Sequence, residues 1–254
     1  GMIMFTSGTT GPSKGALMPH GHLYLFGHAM ETHLGLTEDD HYYICMPLFH
    51  AQAIMMQFFA TMIAGGSAVL AKHFRATTWI DDIREHECTV TNLLGVMNDF
   101  VLRQPAKNTD TDNELRIVSA VPVTNETLEN LRTRFAIPKF NELFGMTECN
   151  LPVVRPLDAP DEAGCSGKVW DEYFEVIVAD PETDEELPRN EVGEILVRPK
   201  EPYCFMAGYN DMPERTVDTW RNFWFHTGDA GRMDDRSYLW YIDRIKDTIR
   251  RRGE

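Results

Sequence analysis

The sequence predicts an α/β protein: a mostly parallel sheet with flanking helices, followed by a small antiparallel β-barrel-like subdomain. Three observations carry this. Short apolar runs alternate with helically spaced apolar residues over the first 154 residues, which is the pattern of strand–helix–strand units and hence of a parallel sheet. A proline-rich stretch between Pro152 and Pro160 breaks that rhythm. Beyond it, strand-like runs are separated by turn chemistry with no long helical pattern between them.

In chain order, Met2–Phe5 reads as a strand, and Leu23, Phe26 and Met30 recur at helical spacing. Ile54, Phe58 and Met62, beside Met55, Phe59 and Ile63, make a wide apolar helix face. Ala68–Leu70 is a strand, and Thr77 is placed to cap a helix carrying Trp79, Ile80 and Ile83. Val90–Leu94, Arg116–Val121 and Phe140–Phe144 are further strands, with Thr124 opening a helix that holds Leu128 and Leu131. In the second half, Tyr173–Val178, Glu194–Val197 and Tyr238–Ile242 are strands, with turns at 181–184 and 234–237. The expected division is residues 1–154, residues 155–242 and a charged stretch 243–254.

The 254 residues carry 24 basic and 39 acidic side chains, a formal net charge of −15, which argues against a nucleic-acid-binding face. It leaves room for a phosphorylated small molecule, because a few placed cations override an average field. With 43% hydrophobic residues the chain has material for a core, yet no apolar run approaches the ~18 residues of a membrane span. Five cysteines without CxxC spacing read as isolated buried thiols, and a cytoplasmic location is expected. His20, His22, His28 and His33 read as a solvated helix face.

The strongest local signal is Thr6-Ser7-Gly8-Thr9-Thr10-Gly11-Pro12-Ser13-Lys14-Gly15, directly after an apolar strand. Its glycines admit close backbone approach, its hydroxyls and N–H groups suit oxygen anions, and Lys14 adds a cation. It does not match the GxxxxGK[ST] loop. Four more motifs follow: Pro47-Leu48-Phe49-His50, Asn141-Glu142-Leu143-Phe144-Gly145-Met146-Thr147-Glu148, Thr227-Gly228-Asp229 and Asp243-Arg244-Ile245-Lys246. Together, in this order, the five resemble the adenylate-forming superfamily of AMP-dependent acyl-CoA synthetases and ligases. They are most similar to crotonobetaine/carnitine-CoA ligase-like members, and they cover the middle portion of a full synthetase.

The resemblance implies a fold and a set of roles. Residues 1–154 become an α/β AMP-binding subdomain, 155–242 the β-barrel-like subdomain, and 243–254 the start of a hinge, with Lys246, toward a C-terminal domain absent from this chain. Thr6, Ser7, Gly8, Thr9, Thr10, Gly11 and Lys14 would hold phosphates, and Thr147 and Glu148 would act at the α-phosphate, with Glu148 on Mg²⁺. Asn141, Phe144 and Gly145 would serve adenine, and Asp229 and Arg244 the ribose hydroxyls. Phe144 stands where the family usually has tyrosine, so a ring face remains and a phenolic hydrogen bond is lost. His50 is placed by the family at the mouth between acyl pocket and nucleotide, and no aspartate follows it to pair with an α-amino group.

The expected reaction is activation of a carboxylic acid as acyl-AMP and transfer to coenzyme A, with ATP and Mg²⁺. The alternatives are a truncated non-catalytic nucleotide-binding or interaction module, and another adenylate-forming enzyme such as a peptide-synthetase adenylation domain. Without the adenylation lysine of the C-terminal domain the chain alone is expected to be inactive or strongly impaired, since one lost charge donor typically costs about 10²–10³ in rate. Apolar surface left uncovered by missing segments is expected to make a homo-oligomer.

Overall fold

The computed structural model describes residues 1–6 and 13–245. It begins with β1 (Met2–Thr6), β2 (Lys14–Met18), α1 (His20–Leu34) and β3 (His41–Ile44). A π-helix (Gln52–Phe59) continues into α2 (Ala60–Ala64), followed by β4 (Ser67–Leu70), α3 (Trp79–Glu85), β5 (Val90–Leu94) and α4 (Met97–Leu102). Next come β6 (Ile117–Val121), α5 (Asn125–Phe135), β7 (Phe140–Asn141), β8 (Leu143–Met146) and β9 (Asn150–Val154). The remainder is β10 (Cys165–Val169), β11 (Phe174–Ala179), β12 (Gly193–Pro199), α6 (Pro213–Thr219), a 3-10 turn (Arg221–Phe223), β13 (Phe225–Met233) and β14 (Tyr238–Arg244). No helix among the described residues is long and apolar enough to cross a membrane.

Packing groups the chain into two compact units that interleave in sequence: residues 1–25, 143–154 and 165–254 form one, and residues 26–142 and 155–164 the other. The segments drawn at 154 and 242 follow sequence character, whereas these units follow contacts. β8 and β9, which precede residue 155, pair into the sheet made by the later strands.

The unit holding residues 26–142 contains the parallel sheet, in the order β4-β3-β5-β6-β7. Helices α3, α4 and α5 cover one of its faces, where Trp79, Ile83, Val101, Leu131 and Phe135 pack with Tyr43, Leu93, Val118 and Phe140. Thr124 caps α5 as its sequence position predicts, its hydroxyl accepting from the Thr127 N–H at 3.1 Å. The start of α3 falls one residue later than expected. Thr78, not Thr77, is the N-cap, and it makes no side-chain cap because its hydroxyl donates to Asp82 Oδ2 at 3.1 Å.

The other unit holds the β1–β2 hairpin, in register from Met2↔Met18 to Thr6↔Lys14, and a seven-stranded antiparallel sheet in the order β11-β12-β13-β14-β10-β9-β8. The hairpin partner β2 and its antiparallel pairing are additions to the sequence reading, as are β9, β10 and β13. The single strand expected over Phe140–Phe144 is two strands. β7 closes the parallel sheet and β8 opens onto the antiparallel one, with buried Glu142 at the break. Phe140 faces the apolar cluster while the Glu142 side chain pairs with Arg155 at 3.0 Å, so the two ends serve different environments. All five cysteines are buried and free of disulfides.

Candidate functional site

Most of the residues singled out from the sequence lie in the unit that carries the hairpin. Thr6 and Lys14 are the last pair of β1–β2 and hold the two ends of the glycine-rich loop. Ser7, Gly8, Thr9, Thr10 and Gly11 lie outside the described residues, as does Lys246. The Thr6 hydroxyl donates to Glu148 Oε1 at 3.0 Å, which ties the loop's first residue to the Thr147–Glu148 turn 142 positions later. Tyr209 donates to the same oxygen at 3.0 Å. Lys14 Nζ donates to the Tyr209 hydroxyl at 3.3 Å and stands 4.6 Å from its ring centroid. Burial and the Glu148 charge push the Tyr209 hydroxyl well above its ordinary pKa, so it stays a donor.

Tyr209 was not singled out from the sequence, and its partner is 61 residues away. It arrives because residues 207–210 run beside β2, with Leu17 N–H donating to Gly208 O at 2.9 Å and Asn210 N–H to Gly15 O at 2.8 Å. The Met206 N–H donates to Glu148 O at 3.0 Å, so the same segment fixes the Glu148 backbone.

His22 corrects the reading of a solvated histidine face: it is fully buried. Its Nε2 stands 2.8 Å from Thr147 O, and its Nδ1 stands 2.7 Å from Cys204 O and 3.1 Å from Asn150 Nδ2. Burial pulls its pKa below 6.5, against the two carbonyls and the Glu148 charge. His22 therefore buttresses the turn that presents Thr147 and Glu148. His22→Ala is expected to destabilise the protein by about 1–3 kcal/mol, through a buried carbonyl left without its donor. For a chain this size that lowers Tm by roughly 5 °C, and an unchanged melting curve would contradict the buttress.

Asp229 and Arg244 face each other in register across β13 and β14. Arg244 Nε lies 3.0 Å from Asp229 Oδ1, close enough for charge compensation, yet that oxygen is buried without a hydrogen-bond donor upon it. Burial pushes the Asp229 carboxyl up to about 6; Arg244 opposes this, and the charges of Glu194, Asp243 and Glu148 add to it. The turn before it is built for this placement. Gly228 has φ +71°, the left-handed region, and its N–H donates to Glu194 Oε1 at 3.0 Å. The Thr227 hydroxyl donates to Ile195 O at 2.7 Å and accepts from the Asp229 N–H at 3.1 Å. Asp229 thus offers an ionisable, charge-balanced acceptor with a lone pair unclaimed by the protein, which suits vicinal hydroxyls.

Phe144 and Gly145 are in the same unit. The Phe144 ring is buried and stacks on Tyr241, with centroids 6.2 Å apart. A Cβ on Gly145 would sit 2.3 Å from Asn150 O, so close approach of β8 and β9 requires glycine there whatever the ligand.

His50 and Asn141 belong to the unit with the parallel sheet. His50 is exposed, yet enough protein surrounds its ring to hold its pKa below 6.5, and its Nδ1 accepts from the Gln52 N–H at 3.2 Å. Asn141 is buried on β7; its Nδ2 donates to Arg155 O at 3.1 Å, and its Oδ1 has no partner. An adenine amino group would complete that acceptor.

The sequence matches the model of the AMP-binding enzyme family over residues 2–210. It is 32% identical over 253 residues to a medium/long-chain fatty-acid–CoA ligase of Mycobacterium marinum, covering 100% of this chain and 49% of that protein. It is 30% identical over 256 residues to a crotonobetaine/carnitine–CoA ligase of Salmonella heidelberg, covering 99% and 49%. Among solved structures, ATP-bound MatB from Rhodopseudomonas palustris matches with a TM-score of 0.86 at 30% identity, over 96% of this chain and 48% of that one. The O-succinylbenzoate coenzyme A synthetase of Bacillus subtilis in complex with ATP and magnesium ion matches at 0.81 and 27% identity, over 96% and 50%. The chain spans about half the length of these relatives. With the loop, the Thr147–Glu148 turn and 209 consecutive positions inside the matched region, the chain belongs to the AMP-binding enzyme family.

Proposed function

We propose that this chain is the nucleotide-binding part of an ATP-dependent carboxylate–CoA ligase. The observation that supports this best is the Thr6–Glu148–Tyr209–Lys14 network, in the same unit as a buried Asp229 carboxylate with an unclaimed lone pair. In the reaction, a carboxylate oxygen of the acid attacks the α-phosphorus of ATP, the bond to the β-phosphate oxygen breaks, and pyrophosphate leaves. The coenzyme A thiol then attacks the acyl carbon and AMP departs with the bonding pair.

The residues divide the work. Lys14, held against Tyr209, supplies positive charge to the β- and γ-phosphates. Asp229 accepts from the ribose hydroxyls, with Arg244 balancing its charge. Within the unit of the parallel sheet, Asn141 Oδ1 is an acceptor that an adenine amino group would satisfy, and the His50 ring is neutral near pH 7. The Thr147 hydroxyl meets the α-phosphate. One hard carboxylate, Glu148, beside phosphate oxygens fits the ligand preference of Mg²⁺, which would neutralise charge building on the phosphates. Charge neutralisation and positioning carry the rate, without a covalent protein nucleophile.

Two measurements test this reading. Calorimetry with Mg·ATP should show binding, and a pyrophosphate-release assay with carboxylic acids should show slow but measurable turnover. Binding without release would instead indicate a non-catalytic nucleotide module. Lys14→Ala should weaken ATP more than AMP. One lysine–phosphate pair at about 4 Å is worth roughly 4 kcal/mol at an effective dielectric of ~20 before desolvation, so a ten-fold or greater selective loss is expected. Equal losses for ATP and AMP would contradict the assignment.

A further inference from the structure

Asp229 follows a break in its own strand ladder. β12 and β13 pair as Leu196↔His226 and again as Glu194↔Ala230, so Ile195 alone lies opposite Thr227, Gly228 and Asp229. Extra residues on one strand interrupt the ladder and re-aim the side chains there. They also take Gly228 out of the paired register. The Glu194 side chain fills that gap. Its Oε1 accepts the Gly228 N–H at 3.0 Å, on a turn whose glycine holds φ +71°. Ile195 O takes the Thr227 hydroxyl at 2.7 Å, so side chains from both strands replace the missing ladder bonds.

The other carboxylate oxygen of Glu194, Oε2, stands 3.1 Å from His226 Nδ1, and both side chains are only 7% exposed. The far ring nitrogen, Nε2, lies 3.6 Å from Asp184 Oδ2. Asp184 is itself held by Asn222, whose Nδ2 donates to the same oxygen at 2.6 Å. Arg221, in the 3-10 turn before β13, brings Nη2 to 2.9 Å from His226 Nδ1. One oxygen of Glu194 is therefore fixed on the bulge, and the other on a ring wedged between two carboxylates.

Glu194 does not serve Asp229 by its charge. Burial comes first in pushing the Asp229 carboxyl up, and the Glu194 charge adds to that push with those of Asp243 and Glu148, against Arg244. A second carboxylate placed there makes Asp229 harder to ionise, so what Glu194 supplies is its reach between Gly228 and His226. We propose that Glu194 is a positioning residue of the nucleotide site: held by His226, it locks the Gly228 bulge so that the Asp229 carboxylate meets the ribose hydroxyls. This rests on the ligase reading, which gives Asp229 those hydroxyls. Glu194 acts through the turn and touches no nucleotide.

The test compares AMP with its 2′,3′-dideoxy analogue by calorimetry on the full 254-residue chain and two variants. Glu194→Gln loses the charge and keeps the reach: its amide oxygen still accepts from Gly228, and its amide nitrogen can donate to His226 Nδ1. Glu194→Asp keeps the charge and is one methylene too short to span Gly228 and His226. The wild type should bind AMP at least about ten-fold more tightly than the analogue, whose missing hydroxyls would bond to a charged group. Glu194→Gln should hold that preference to within about three-fold of wild type, and Glu194→Asp should cut it to about three-fold or less by weakening AMP alone. A merely structural role would weaken both ligands alike and leave the preference intact. A wild-type preference in Glu194→Asp, or its loss in Glu194→Gln, overturns the proposal while the nucleotide site stands. Equal binding of the two ligands by the wild type overturns the ribose assignment of Asp229, and no AMP binding at all overturns the ligase reading; the proposal falls with either.

Discussion

Asp229→Asn is expected to weaken ATP and AMP binding by ten-fold to more than a hundred-fold while the protein still folds. Hydrogen bonds to a charged group contribute about 1.5–3 kcal/mol each, and the neutral amide has one acceptor oxygen for two ribose hydroxyls. The pH dependence makes the effect specific. With its carboxyl pushed up to about 6 by burial, Asp229 is ionised at pH 7.5 and increasingly protonated below 6. Wild-type affinity should therefore fall as pH drops through 6, and that component should be absent in the Asn variant. Stability runs the other way. A carboxyl whose folded pKa exceeds its unfolded value of 3.8 destabilises the fold increasingly as pH rises from about 4 to about 6. Asp229→Asn should then melt higher than wild type at pH 7.5 and equal to it near pH 4. Unchanged nucleotide affinity at pH 7.5 would remove Asp229 from the site.

Arg155→Met is expected to cost about 3–5 kcal/mol of stability, on the order of 10 °C in Tm. Arg155 is 1% exposed, and its Nη2 donates to Glu142 Oε1 at 3.0 Å and to Glu162 O. Glu142 also accepts the Gly164 N–H at 3.3 Å. Burial raises the Glu142 carboxyl to about 7, with Arg155 opposing. Removing the guanidinium leaves a buried carboxylate without its counter-charge. The penalty relative to wild type should grow as pH rises through about 7 and be smaller at pH 5 than at pH 8, because the wild-type carboxyl ionises there beside Arg155 while the variant's keeps its proton. Adding Glu142→Gln should recover much of the loss, since exchanging both partners of a buried pair is often near neutral. The Asn141 amide rests on Arg155 O, so the single variant should also loosen the proposed adenine contact. A melting temperature within 2 °C of wild type would show that the pair is not stabilising the strand break.

The parts of this molecule that were legible in its sequence are those whose causes are local. Val90–Leu94 is a strand over the predicted span, because a run of apolar and β-branched residues fills a doubly covered sheet. Thr124 caps α5 through a bond only three residues long. The Asp229–Arg244 pair was legible as chemistry, and the register of β13 with β14 supplied its geometry.

What escaped the sequence depends on distant partners. The apolar spacing of Ile54, Phe58 and Met62 reads as ordinary helix, and nothing in it signals π-winding. His22 looked solvated because α1 carries polar residues on several sides, yet Cys204 and Asn150, far along the chain, bury it. β2 is five residues around Gly15 with no clean alternation, and its strand character comes from pairing with β1 and residues 207–210.

Composition, periodicity and five ordered motifs determined the α/β class, the cap of α5 and the chemical types of the candidate residues, since backbone propensity and motif chemistry act over a few residues. Tertiary structure decided that Thr6 and Tyr209 converge on Glu148 with Lys14 held against Tyr209, that Glu142 marks the passage between sheets, and which buried amides lack partners. These outcomes rest on hydrogen bonds and desolvation between groups up to 195 positions apart, and a linear reading holds no distance between them.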